Sequence, residues 1–141
     1  MPTTIDSAGI TFNDATSLTS ANIGTAQLVN GSVIAAKLGT TEQKQIAKAW
    51  VNFNGTTSPG TIRSQYNVSS VTKIGTGDYT VNFTTAMTDA NYSVSVSAAL
   101  NTSAPSVIQY QDQSTSSVRE IIRVNAVAYD SSYVSLQVFG N

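Results

Sequence analysis

The residue types that most often carry catalysis are nearly missing from this chain. It has no histidine, which removes the commonest general base, the usual nucleophile–base relay and most zinc sites. It has no cysteine either, so thiolate nucleophiles, thiolate metal sites and disulfides are excluded. There are eight carboxylates: Asp6, Asp14, Glu42, Asp78, Asp89, Asp112, Glu120 and Asp130. A glycosidase needs two such groups converging on one bond, and no two here are juxtaposed by their spacing. Asp78, Asp89 and Asp130 stand in turn positions, where aspartate bonds its own backbone. The G-T-G-D of residues 75–78 is followed by neither a Walker lysine nor a helix, so it reads as a hairpin turn rather than a phosphate loop. The expectation is a non-enzymatic protein without metal or cofactor.

What remains is chemistry suited to binding. Tyr110-Gln111-Asp112-Gln113 and the Asp130–Tyr133 segment offer rings, carboxamides, carboxylates and hydroxyls. Rings cover the apolar face of a sugar, and amides and acids take its hydroxyls. Tyr110, Gln111, Asp112, Gln113 and Tyr133 are therefore the candidate binding residues. The structural alternative is that the tyrosines pack at sandwich edges and the loops are merely solvated.

The elements that would position them are strands. Tyr79, Val81 and Phe83 alternate with polar residues, as do Tyr92, Val94, Val96, Ala98 and Leu100. A period of two with one polar face means half-buried antiparallel sheet. Further runs lie at 49–54, 62–68, 71–74, 107–112, 118–129 and 133–139, with turn residues between them. About eight short strands with regular turns read as an all-β antiparallel sandwich over residues 50–141. The stretch from Ile62 to Leu100 is its clearest fold signal and reads as scaffold. The run from Val118 to Tyr129 carries apolar residues on both faces, with Glu120 on the same face as Val118 and Ile122. It is either central in its sheet or meets another subunit. Arg119, Glu120 and Arg123 then form an interface ion cluster or, more plainly, surface ion pairs.

Ahead of the sandwich the chain changes character. Residues 1–22 are sparse in apolar groups, and Ile10–Phe12 reads as one short strand. Ile23, Leu28, Val33 and Leu38 recur every five residues, a period that fits neither helix nor strand. One chain has nothing to bury them against, whereas three chains around an axis do. Thr40–Ala49 is the one helix signal, with a capping-box pair at Thr40 and Gln43. It is too short to stand alone in water, and Ile46 is its main apolar contact. The expected order is an attachment segment (1–22), an extended and helical trimeric stalk (23–49) and the knob (50–141).

Composition narrows the class. Only 11% of residues are charged, against about 25% in an average soluble protein. Serine, threonine and asparagine take their place on the outward face of strands. Seven scattered lysines and arginines and a net charge of −1 make no basic face for nucleic acid. The opening M-P-T-T-I-D-S lacks the basic and apolar regions of a signal peptide, and no apolar run reaches the ~20 residues of a membrane span.

Two stretches carry a resemblance. A-K-A-W-V-N-F-N-G-T (47–56) followed by Y-N-V-S-S-V-T-K-I-G-T-G-D-Y-T-V-N-F-T-T-A-M (66–87) resembles the C-terminal head domain of tailed-bacteriophage fibre and structural proteins. G-I-T-F-N-D-A-T-S-L-T (9–19) is similar to the short leader of virion-attached proteins, and the five-residue repeat to fibre shafts. The turn N-G-T-T-S-P-G departs from the plainer N-G-T-G of that pattern. The resemblance implies a homotrimer on the phage particle surface, displaying its knob for host-surface glycan recognition as a tail-associated fibre. Ile5, Ile10, Phe12 and Leu18 would attach it to a capsid, connector or tail protein, and Ile23, Leu28, Val33, Leu38 and Ile46 would line the stalk. The first alternative is a head fibre or a capsid or connector decoration protein, which a chain of 141 residues with little room for an adaptor domain favours. The second alternative is a glycan-cleaving enzyme.

Overall fold

A computed structural model describes residues 4–6, 9–11, 17–18, 38–100 and 103–140. It divides into two units, Met1–Gly39 and Thr40–Asn141. In the first, three short strands, β1 (Thr4–Asp6), β2 (Gly9–Thr11) and β3 (Ser17–Leu18), form an antiparallel meander. Where one strand was expected there are three, and their register sets Ile5 opposite Ile10 and Ile10 opposite Leu18. Phe12 and the repeat positions Ile23, Leu28 and Val33 lie outside the described residues.

The second unit opens with helix α1 (Thr40–Gln45), shorter than the sequence implies. Ala47 and Ala49 belong instead to β4 (Ala47–Asn54), because Ala49 continues inward the alternation of Val51 and Phe53. Next come β5 (Thr61–Tyr66), β6 (Val68–Gly75), β7 (Asp78–Phe83), β8 (Ser93–Ala98), β9 (Ser106–Gln111), β10 (Ser117–Val124), β11 (Val127–Ala128) and β12 (Val134–Phe139). One sheet runs β5-β4-β12-β8; the other runs β11-β10-β7-β6, with β9 on the opposite side of β10. Both are antiparallel, and together they make the expected β-sandwich.

The inward residues follow the alternation. Ala49, Val51 and Phe53 of β4 and Val134, Leu136 and Val138 of β12 are buried against Tyr79 and Val81 of β7 and Val118 and Ile122 of β10. Each such side chain contributes about 1.5–3 kcal/mol on leaving water. Two edge-to-face ring pairs join the sheets, Phe53–Tyr79 at 5.2 Å and Phe83–Tyr92 at 5.9 Å between centroids. Gly55 has room for no side chain: a Cβ there would collide with the Tyr79 hydroxyl.

The register gives the sandwich two distinct ends. At one, Ala47 pairs with Phe139 and Trp50 with Tyr66, so the chain comes in and leaves at this base. At the other, the tip, β4 turns into β5, β6 into β7 and β10 into β11. Of the two glycines in the β6–β7 turn only Gly77 has positive φ, +62°, so one left-handed residue suffices.

β10 is central, paired over Arg119–Ile121 with both β7 and β9. Ile121 on its outer face is buried by its own chain, while Val127 of the same run is 67% exposed. Glu120 does not join Arg119 and Arg123 at the surface. It points into the core, fully buried, and neither carboxyl oxygen has a hydrogen-bond partner among the described residues. Burial pushes its pKa from 4.5 up to about 9. The folded protein therefore keeps Glu120 neutral while the unfolded chain ionises it. That penalty is absent below the unfolded pKa and grows as pH rises toward the folded one. Glu120→Gln is expected to be more stable than the native protein by up to about 3.5 kcal/mol at pH 7 and about 5 kcal/mol at pH 8, at ~1.4 kcal/mol per pH unit above 4.5. The gap should close as pH approaches 4.5; urea unfolding of both proteins across pH 4–8.5 measures it, and a gap independent of pH would contradict the assignment.

Candidate functional site

The candidate binding residues do not form one site. Tyr110 and Gln111 end β9 in the middle of its sheet, opposite Glu120 and Arg119, which pair in turn with Tyr79 and Thr80 of β7. Tyr133 precedes Val134, which pairs with Phe53 and Ala98 at the tip of the other sheet. The two groups stand on different sheets of the sandwich.

Their surroundings give them structural work. Gln113 Nε2 donates to the carbonyls of Ala90 (3.0 Å) and Tyr92 (2.6 Å), bracing the loop before β8. Asp112, with φ +48°, accepts from Arg119 at 2.9 Å and from Gln111 Nε2 at 3.3 Å. Arg119 also grips both oxygens of Asp78, at 2.7 and 2.6 Å. These hydrogen bonds raise its pKa; the expected cluster of Arg119, Glu120 and Arg123 is not formed, and Arg119 pairs instead with Asp78 and Asp112. Tyr133 is open to solvent on one side, and the Arg63 guanidinium sits 4.2 Å from its ring centroid, a cation–π stack.

At the tip, one carboxylate ties three loops. Asp130 accepts from Lys73 Nζ (2.5 Å), the Gly77 amide (2.7 Å) and the Tyr79 hydroxyl (2.7 Å). Lys73 Nζ also donates to the Gly55 carbonyl at 2.8 Å, and the Gly55 amide donates to Ser131 O at 2.9 Å. Burial alone would raise the Asp130 pKa, but Lys73, Gly77 and Tyr79 outweigh it and hold the carboxyl below its usual range. Its contribution is therefore present above the unfolded carboxylate pKa and lost in stronger acid. Burial, with Asp130 as acceptor, pushes Tyr79 well up, so the phenol stays protonated and donates.

At the base lies a cleft of about 510 Å³. Its walls are Lys48 of β4, the corner Gln65-Tyr66-Asn67 between β5 and β6, and Thr84–Thr88 after β7. Asn67 holds the walls together. Its φ is +54°, a left-handed conformation that asparagine tolerates better than most residues. Its Nδ2 donates to Lys48 O and Thr85 O, both at 3.1 Å, and its Oδ1 accepts from the Thr85 amide at 2.7 Å. Asn67 is thus fully engaged as a clamp. Gln65 Oε1 accepts from Val68 N at 3.3 Å. Met87 is the buried floor, and Tyr66 stands 57% exposed beside it.

Sequence reasoning treated Tyr66 and Asn67 as scaffold. The Tyr-Asn pair at a strand junction is a sequence signal for a left-handed corner, but Lys48 carried none. It reaches the cleft where the β4–β12 register slips between Val138 and Phe139, a bulge that re-aims side chains. Among the described residues no three aspartate or glutamate side chains gather as a metal site.

No protein family, no curated protein and no solved structure matched this chain.

Replacing Asp130 with Asn is expected to cost about 2–4 kcal/mol, since it leaves Lys73 buried without its countercharge. Tyr79→Phe, which only loses a donor, should cost about 1 kcal/mol. Chemical denaturation at neutral pH measures both, and equal small losses would show that the tip network is not a structural tie.

Proposed function

We propose that the chain is a short homotrimeric fibre of a tailed bacteriophage, fixed to the particle by its N-terminal segment and displaying the sandwich for adhesion to host-surface glycan. The observation that carries adhesion is the cleft at the base. It combines an exposed tyrosine ring, a carboxamide and threonine hydroxyls in a frame held by Asn67. That is the mixture by which shallow sites take sugars. The sequence resemblance at 47–56 and 66–87 supports the virion setting, and the five-residue repeat supports three chains. Weak single-site binding gains strength when three knobs engage together.

The tail position is the first reading, and a head fibre or a capsid or connector decoration protein is the second. Cryo-electron microscopy of the particle separates them: density at the tail is expected, and density on capsid faces or at the collar would establish the second. Purified protein added in excess is expected to block host adsorption; release of reducing sugar from host polysaccharide would turn the reading toward an enzyme. Light scattering is expected to give three times the chain mass of 14.8 kDa, and the mass of a single chain would overturn the trimer.

A further inference from the structure

We propose that the base cleft takes an acidic sugar unit, with its carboxylate on Lys48 and its ring against Tyr66. This rests on the adhesion reading and narrows it to a ligand class.

The cations of the sandwich differ in their surroundings: Lys44 and Arg123 stand exposed at the surface. Lys73 is paired with Asp130, Arg119 with Asp78 and Asp112, and Arg63 stacks on Tyr133. Lys48 is half-buried, yet among the described residues no carboxylate pairs with its ammonium. A lysine head carries three donors and no acceptor, and a bound anion would use donors that no carboxylate of the described residues claims. Among the described residues the cleft walls contain no aspartate or glutamate.

The rest of the wall selects a sugar over a bare anion. Tyr66 presents an open ring face, suited to the C–H face of a pyranose. Gln65 spends its oxygen on the Val68 amide, which leaves its NH₂ as a donor. Thr84, Thr85 and Thr88 supply hydroxyls that donate or accept. A volume of about 510 Å³ lies within the ~300–1,000 Å³ range of small-molecule sites. A lysine acts as a point charge and takes a single anionic group without a fork to match; the carboxylate is the assignment put to the test against a sulfated sugar.

Isothermal titration of the full chain with trigalacturonate, a sulfated galactose trimer and neutral galactotriose tests this. Trigalacturonate should bind about tenfold tighter than galactotriose, a preference of ~1.4 kcal/mol, and more weakly as salt rises. Lys48→Gln should erase that preference and Lys48→Arg restore part of it. Tyr66→Ala should weaken both sugars, while Val127→Ser at the tip should change neither. Thermal melts of each variant guard against loss of fold. Trigalacturonate binding that Lys48→Gln and Tyr66→Ala leave intact, or no saturation at tens of millimolar, would overturn the proposal. Tighter binding of the sulfated probe would overturn the carboxylate assignment. Host adsorption keeps the two readings apart. If native protein and both cleft variants block it equally, adhesion holds and the cleft assignment fails. If native protein binds trigalacturonate but does not block adsorption, the cleft assignment holds and adhesion fails.

Discussion

The sandwich depends on one long-range pairing, that of its first strand with its last. β4 and β12 lie side by side in the four-stranded sheet, and Asn52 Nδ2 bonds Ser135 Oγ at 2.8 Å across a separation of 83 residues. Such a ladder is entropically costly to close and yields nothing until it closes. Once formed, it sets the inward faces of both strands in line, brings Ala47 to Phe139, and fixes which end of the molecule is base and which is tip. The cleft at one end and the tip network at the other follow from that geometry.

The fold was legible where one rule decides the outcome. Alternation placed Val51, Phe53, Tyr79, Val81, Leu136 and Val138 in the core because a strand with one wet face permits little else. It was ambiguous at Ala47–Ala49, where small residues fit a helix or a strand equally and pairing with β12 prevailed. Alternation set Glu120 on the face of Val118 and Ile122, yet its charge argued for an ion pair with Arg119 or Arg123; the inward face prevailed. Arg119's partners were not legible, since Asp78 and Asp112 reach it across strands whose neighbours only the tertiary pairing determines. The binding candidates were chosen by residue type, which carries no information on which sheet a strand joins. Lys48 was hidden for another reason: a bulge breaks the periodicity on which strand reading relies.

Glu120 and Asp130 show how a poorly charged protein treats its few acids. Both are withdrawn from water, and in both burial favours the neutral form. Asp130 is met by an ammonium, an amide and a phenol and stays ionised. Glu120 is met by hydrocarbon and takes a proton instead. One acid holds the tip together and the other leaves the core sensitive to alkali, although both sit on the same framework of strands.

The pairing of Ala47 with Phe139 at the base also has a mechanical meaning. A pull on the chain ahead of Ala47 acts along the axis of β4, which is flanked on both sides by ladders to β5 and β12. The load is then taken in shear, by many hydrogen bonds at once, rather than by peeling them apart singly. Lys48 lies one residue into that strand, and Tyr66 lies on the neighbour paired with Trp50. Tension between the chain and anything held in the cleft would therefore cross only this corner of the sheet and leave most of the sandwich unstressed.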